Sequence, residues 1–137
     1  MRARLLVISL AACSGGSGAL AVDAAATVDA MPRETVIDVK MLQAGELGEA
    51  TLTGGASDRA VVHLLAPNML LDFDIHGHSG GGTQTLHEEF GIMSADYSFI
   101  PPSSADWFLL IRNDDAVKMS VDVKIELYGA MTWSGWL

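Results

Sequence analysis

The stretch LLDFDIHGH, residues 70–78, carries the pattern that decides the fold. Apolar side chains stand at Leu71, Phe73 and Ile75. The even positions carry carboxylates and imidazoles, namely Asp72, Asp74, His76 and His78. Alternation with a period of two predicts a β-strand with one buried and one exposed face. We therefore expect the four polar side chains on one face of this strand, opposite an apolar strip that packs into a core.

Short segments of the same kind lie on both sides of this stretch and are separated by turn residues. The predicted strands are Thr35–Met41, Leu47–Thr53, Arg59–Ala66, Leu70–His78, Ser94–Ile100, Trp107–Ile111 and Val117–Leu127. Residues 83–90 fit a strand or a helix equally well. Asn113–Ala116, between the last two strands, is typical of a hairpin turn. About seven or eight short strands without a helical period predict an all-β fold, a single antiparallel β-sandwich of the jelly-roll type.

Composition limits the range of partners. The chain has 137 residues, of which 50% are hydrophobic, and its formal net charge is −9. If an N-terminal leader that carries Arg2 and Arg4 is removed, 6 basic and 17 acidic side chains remain. Such a surface repels phosphate backbones and anionic lipid headgroups, so nucleic acid is not an expected partner and membrane association needs another cause. The single cysteine, Cys13, excludes an intrachain disulfide.

Residues 1–12 read MRARLLVISLAA, a basic start followed by a short apolar run. This order is typical of a signal peptide, and the run is too short for a permanent membrane-spanning helix. The run ends in Leu10-Ala-Ala-Cys13, which resembles the lipobox of bacterial lipoproteins. The resemblance implies cleavage before Cys13 and attachment of acyl chains such as palmitate to it. The residue after Cys13 is Ser14 and not Asp. This resembles the pattern of Gram-negative lipoproteins that are sent to the outer membrane. The alternative is an ordinary signal peptide that happens to contain Cys13.

Residues 13–33 are rich in Gly, Ser, Ala and Asp and show no apolar period. Such a segment cannot offset the entropy that it would lose on ordering, so it is predicted to be a flexible tether. The predicted organisation is a lipoprotein signal peptide at 1–12, a tether at 13–33 and a β-sandwich domain at 34–137.

The second half of the chain resembles a known family. Tyr97-x-Phe99-x-Pro101 is followed by Asp106-Trp-Phe-Leu-Leu-Ile-Arg-Asn113 and by the alternating segment Val117–Leu127. This order is similar to that in the C-terminal half of bacterial pre-peptidase C-terminal domains and of related GOLD-type β-sandwiches. The resemblance covers residues 64–128 and implies a small accessory or interaction domain without catalytic activity.

Three histidines are candidate metal ligands. His76 and His78 form a His-x-His pair, and same-face neighbours along a strand are about 6.5–7 Å apart. His87, followed by Glu88, lies beyond the Gly-rich turn and could reach the pair from the next segment. Imidazoles with a carboxylate suit zinc or copper. One interpretation is thus a metal site at His76, His78 and His87; the other is a solvated polar face without a cofactor.

Gly77-His-Ser79-Gly-Gly81 fits the Gly-x-Ser-x-Gly nucleophile elbow of α/β-hydrolases. The elbow needs a helix directly after it, and its catalytic acid precedes the histidine in the chain. Three consecutive glycines are a poor helix start, and no acid lies between Ser79 and His87. The run is therefore predicted to be a Gly-rich hairpin or loop, and no catalytic residue is assigned.

The chain ends in Trp133-Ser-Gly-Trp136-Leu137. The tryptophans either form a contact surface for a glycan or a protein, or fold back against the sheet. The sequence as a whole predicts a lipid-anchored protein of the cell envelope, in the outer membrane of a Gram-negative bacterium, that displays a non-catalytic interaction domain. The expected partners are the membrane, through the lipid, and an envelope protein or glycan. The alternative is a periplasmic or surface protein that binds zinc or copper.

Overall fold

A computed structural model describes residues 31–79 and 81–137. In this part the chain forms nine β-strands and no helix. The strands are β1 (Glu34–Leu42), β2 (Leu47–Gly54), β3 (Arg59–Leu65), β4 (Leu71–Ser79), β5 (Gly82–Ile92), β6 (Ser94–Phe99), β7 (Ala105–Asn113), β8 (Met119–Tyr128) and β9 (Thr132–Trp136). Nowhere in the described ranges is there a helix long and apolar enough to cross a membrane. The predicted signal peptide, Cys13 and most of the predicted tether lie outside the described residues.

The strands form two antiparallel sheets that enclose one core. Sheet A has four strands in the order β1-β8-β3-β6, and sheet B has five in the order β5-β4-β7-β2-β9. The first eight strands thus follow the order of a jelly roll, with β9 added beside β2. This confirms the predicted all-β antiparallel sandwich and adds a strand at its C-terminal end.

The core consists of the inward side chains of strands that alternate as the sequence predicts. Leu71, Phe73 and Ile75 of β4 are all buried, so the predicted apolar strip of residues 70–78 is confirmed. The uninterrupted apolar segment of β7 is central in sheet B, between β4 and β2. Its residues Trp107, Leu109 and Ile111 are buried in the core.

The predicted hairpin at Asn113–Ala116 is wrong. β7 lies in sheet B and β8 in sheet A, so the chain crosses between the sheets at this turn. Each of the two strands has two neighbours in its own sheet, and their apolar faces meet across the core instead of side by side. The Asn113 amide donates to the carbonyl oxygens of Leu42, Gln43 and Val117, at 3.3, 2.9 and 2.7 Å. The turn is therefore fixed to the connection between β1 and β2.

Residues 83–90, for which the sequence allows a strand or a helix, belong to strand β5. β5 pairs with β4, and its register shifts twice along that pairing. Such shifts are β-bulges or similar irregularities, which bend and twist a strand. The outer edge of sheet B at β5 is consequently irregular.

Trp136, in the C-terminal strand, lies at the seam between the edge strands β1 and β9. Trp133 and Trp136 both pack against the core although they are three residues apart. Gly135, with φ of 93°, lies at a register shift between β9 and β2 that makes this possible. Trp136 donates from Nε1 to Oδ2 of Asp38 at 2.8 Å, and the Lys40 ammonium lies 5.0 Å from the Trp136 ring. The tail therefore folds back against the sheet, which is the second of its two predicted arrangements.

Candidate functional site

The polar side chains of β4 lie on the outer face of sheet B, where the alternation places them. In the pairing with β7, Asp72 lies opposite Arg112, Asp74 opposite Leu110, and His76 opposite Phe108. We call the surface around them the sheet B face. It is formed by Glu88 and Phe90 of β5, Asp72, Asp74, His76 and His78 of β4, Phe108, Leu110 and Arg112 of β7, and Leu47 and Glu49 of β2.

His76 is held at the centre of the sheet B face, and only 7% of it is exposed. Its Nδ1–H donates to Oδ1 of Asp74 at 2.5 Å, and its ring stacks on Phe108 with the centroids 5.4 Å apart. Its Nε2 lies 4.0 Å from Oε2 of Glu49 on β2. A carboxylate at Nδ1 fixes the orientation of the ring, as it does for catalytic or metal-binding histidines. Because Nε2 faces a second carboxylate and not a hydroxyl or thiol, this arrangement suits cation binding better than nucleophilic catalysis.

The structure brings two of the three predicted histidines together. The rings of His76 and His78 are 5.2 Å apart. His87 lies on the opposite face of sheet B, since it pairs with Ile75, whose side chain is in the core. The His87 ring stacks on Tyr97 of sheet A at a centroid distance of 3.8 Å. His87 therefore does not converge with the other two imidazoles.

The described residues do not complete a metal site around His76 and His78. Across residues 31–79 and 81–137, no group of three or more His, Cys, Asp or Glu side chains is placed to hold a metal ion. A protein zinc site uses three or four protein ligands. Zinc or copper binding stays a prediction, and it now rests on His76 and His78, with Asp74 and Glu49 as the carboxylates beside His76.

The Gly-x-Ser-x-Gly run joins two antiparallel strands. β4 ends at Ser79, which pairs with Gly82 at the start of β5. A nucleophile elbow requires a strand, a sharp turn and then a helix. The predicted hairpin is confirmed, and the geometry gives no support to a hydrolase site.

One end of the sheet B face is apolar. Phe90 and Leu47 are 66% and 55% exposed, and a cavity of about 140 Å³ lies between them. Leu110 lines this cavity together with Arg112, whose guanidinium donates to Oδ2 of Asp72 at 2.7 and 3.1 Å. The solvent face of an antiparallel sheet is usually polar. An exposed aromatic and aliphatic side chain beside a cavity therefore indicates a contact surface.

A row of carboxylates crosses the middle of the same face. Glu49, Asp74 and Glu88 come from β2, β4 and β5, and the register aligns all three with Leu110 of β7. The sequence pattern identifies Asp74 and Glu88 but not Glu49, because only the long-range pairing of β2 with β7 brings it there. The sheet B face is thus both apolar and negatively charged.

A larger groove, of about 490 Å³, crosses the outer face of sheet A. His63 lies in it, hydrogen-bonded through Nδ1 to Asp96, with Nε2 at 3.8 Å from Glu126. A hydrogen bond from Lys124 holds the pKa of Glu126 below its usual range. His63 is not among the predicted site residues, and its only signal in the sequence is the alternation of β3.

Asp58 connects two turns at one end of the sandwich. Its carboxylate accepts hydrogen bonds from the backbone N–H of Ala130 at 2.6 Å and of Gly55 at 2.8 Å. These bonds hold the pKa of Asp58 below its usual range. Each carboxylate oxygen thus has a backbone partner, which indicates a structural role.

Other solved structures share this fold, among them the following two. A mitogen derived from Yersinia pseudotuberculosis aligns with a TM-score of 0.53 and 12% identity, over 78% of this chain and 96% of the mitogen. A periplasmic lysozyme inhibitor of g-type lysozyme from Aeromonas hydrophila aligns with a TM-score of 0.50 and 10% identity, over 68% of this chain and 85% of the inhibitor. At such identities the likeness shows the fold alone, that of a small β domain. No family model matches the chain, nor does any curated protein.

Proposed function

We propose that this chain is a lipid-anchored protein of the cell envelope, displayed on the outer membrane, whose β-sandwich binds a cationic protein through the sheet B face. The observation that carries the proposal is the apolar end of that face, where Phe90 and Leu47 border a cavity. Protein interfaces are enriched in aromatic side chains and arginine at their centres. The function is binding, and no reaction is assigned to it.

The charge of the sheet B face determines which kind of partner it fits. Glu49, Asp74 and Glu88 lie beside the apolar end, and the guanidinium of Arg112 is already paired with Asp72. The chain as a whole carries a formal charge of −9. Complementary charge accelerates association and selects among partners. A basic protein with an exposed apolar side chain would match both parts of this surface.

The first partner to test is g-type lysozyme, because a structural neighbour inhibits that enzyme. We expect binding that weakens as salt is added, since exposed charges are screened within about 8 Å at physiological ionic strength. Replacing Phe90 with alanine should lower the affinity by about tenfold or more, as is usual for a central aromatic contact. The measurement is calorimetric titration together with inhibition of lysozyme activity.

Leu65→Ala is the matched control for Phe90→Ala. Leu65 is an exposed aliphatic residue at the groove on sheet A, on the opposite side of the sandwich. Its replacement should leave the affinity unchanged. Loss of binding with Leu65→Ala and not with Phe90→Ala would move the binding site to sheet A. Absence of any binding would remove g-type lysozyme as the partner.

The anchor part of the proposal rests on the lipobox-like sequence ending at Cys13. Buried acyl chains contribute about 0.8 kcal/mol per CH₂, which is enough for stable anchoring when more than one chain is attached. Cys13→Ser should therefore transfer most of the protein from the membrane to the soluble fraction. Ser14→Asp is the control: it should leave the protein in the membrane fraction and reduce its share in the outer membrane. Full membrane retention of Cys13→Ser would contradict lipidation.

A further inference from the structure

β1 presents a long, regular edge. Among the described residues the strands at the sheet edges are β1 and β6 in sheet A, and β5 and β9 in sheet B. β6 and β9 have six and five residues, and the pairing of β5 is interrupted by two register shifts. β1 pairs with β8 over nine residues without a shift. Short edge strands and bulges protect a sheet from further pairing, and β1 has neither protection.

The free backbone groups of β1 can be assigned from one hydrogen bond. The N–H of Val39 donates to Oδ1 of its neighbour Asp38 at 2.8 Å. It therefore points away from β8, and the alternation of a strand gives the backbone groups of Ile37 and Met41 the same direction. The side chains of these three residues lie on the outer face of sheet A, with 79%, 55% and 48% exposure for Ile37, Val39 and Met41. An unpaired edge thus coincides with an exposed apolar row.

We propose that β1 pairs in antiparallel register with β1 of a second copy of this chain, about a twofold axis at Val39. In this register Val39 lies opposite the partner's Val39, and Ile37 lies opposite the partner's Met41. These are hydrogen-bonded pairs, because their backbone groups face the free edge, and the three pairs supply about six hydrogen bonds. The two exposed apolar rows then lie side by side and cover each other.

The charges of β1 agree with this register. Asp38 and Lys40 flank Val39, and both extend toward the seam with Trp136. Antiparallel pairing about Val39 places Asp38 opposite the partner's Lys40, and Lys40 opposite the partner's Asp38. These are the non-hydrogen-bonded positions, where opposing side chains are closest, at a Cα separation of about 4.5 Å. An axis at Asp38 or at Lys40 would instead place like charges opposite each other.

The same two charges explain why a second copy is favoured over an unrelated strand. Charged side chains on an edge strand discourage pairing with strands that do not compensate them. In the free protein Asp38 also accepts the N–H of Val39, which satisfies a donor at the edge. On pairing, this N–H donates to the carbonyl of the partner's Val39, and Oδ1 of Asp38 becomes available to the ammonium of the partner's Lys40.

A charge-reversal series on the full chain tests the proposal. Asp38→Lys places lysines opposite lysines in both pairs, and Lys40→Asp places aspartates opposite aspartates. Each should raise the dimer dissociation constant by about tenfold to a hundredfold, because opposing like charges destabilise and two pairs change at once. The double variant Asp38→Lys/Lys40→Asp restores opposite charges and should dimerise again. The measurement is sedimentation equilibrium, with thermal unfolding to verify that each variant is folded.

Crosslinking tests the position of the axis independently. Val39→Cys places two thiols next to each other across the axis, whereas the thiols of Thr35→Cys, on the same strand and face, would be about 26 Å apart. A short bismaleimide should therefore crosslink Val39→Cys and not Thr35→Cys. Wild type, whose single cysteine is Cys13, gives the background level of crosslinking. Equal crosslinking of both variants, a wild-type monomer at high concentration, or a double charge variant that stays monomeric would overturn the proposal.

Discussion

Asn113→Asp should lower the free energy of unfolding by about 3 kcal/mol or more at neutral pH, because it removes buried hydrogen bonds and buries a charge. The Asn113 side chain is fully buried and donates to the three carbonyl oxygens of Leu42, Gln43 and Val117. Its Oδ1 accepts the N–H of Asp115 at 2.9 Å. The carboxylate of Asn113→Asp would keep this last bond and would face the three carbonyl oxygens without a proton to donate.

The substitution should also make stability depend on pH in a defined direction. Carbonyl oxygens around the carboxylate of Asn113→Asp raise its pKa in the folded state above the unfolded value of about 3.9. A group whose pKa is raised on folding favours the folded state below the unfolded pKa, and this contribution is lost as pH rises. The loss of stability of Asn113→Asp relative to wild type should therefore become smaller as the pH is lowered from about 7 to about 4.

Asn113→Ala is the control for that pH dependence. It removes the same hydrogen bonds, at a cost of about 2–3 kcal/mol, but introduces no titratable group. Its difference from wild type should therefore be the same at both pH values. The measurement is urea unfolding of the full chain, followed by the fluorescence of its three tryptophans. A deficit of Asn113→Asp that does not change with pH would show that the carboxylate does not face the carbonyl oxygens.

The strands could be predicted because each carries its own signal. Segment 70–78 and the segment that became β8 alternate strictly, and a period of two requires no knowledge of the neighbouring strands. Their buried faces are those that the apolar residues mark, from Leu71 in β4 to Leu127 in β8. The jelly-roll prediction follows from the number and spacing of such strands, and the structure bears it out.

The assignment of strands to sheets could not be predicted in the same way. A turn sequence such as Asn113–Asp115 marks a change of direction, but a hairpin and a crossing between sheets both require one. The choice depends on β4 and β2, which occupy both sides of β7 and leave no position for β8. Those pairings involve residues far apart in the chain, so no local pattern encodes them.

The face of sheet B on which His87 lies could not be predicted for a related reason. Counting along the chain places His87 near His78, but the side of the sheet on which it lies depends on the register of β5 with β4. That register shifts between Ile75 and His76, so that His87 is opposite Ile75 and faces the core. A shift of one residue moves a side chain to the other face of a sheet, and the sequence does not reveal where a bulge will occur.

Core packing requires a glycine at position 77, between His76 and His78, and the sequence does not show this. Gly77 lies opposite Trp107 in the pairing of β4 with β7. A Cβ on Gly77 would stand 2.8 Å from two atoms of the Trp107 ring. Trp107 is almost fully buried, and its Nε1 donates to the carbonyl oxygen of Ser103 at 3.3 Å. The ring therefore has little freedom to move away.

Gly77→Ala should consequently lower the free energy of unfolding by about 1–3 kcal/mol, the usual cost of overpacking a core, and Gly77→Val by more. Gly48→Ala is the matched control. The atom nearest a Cβ at this position is at the flexible end of Lys40, so the loss of stability should be smaller.

Trp107→Phe should relieve the clash with a Cβ at position 77. The double variant Gly77→Ala/Trp107→Phe should therefore lose less stability than the sum of the losses of the two single variants, by about 1 kcal/mol. Urea unfolding measures all five variants. Additive losses would mean that Trp107 is not what requires a glycine between His76 and His78.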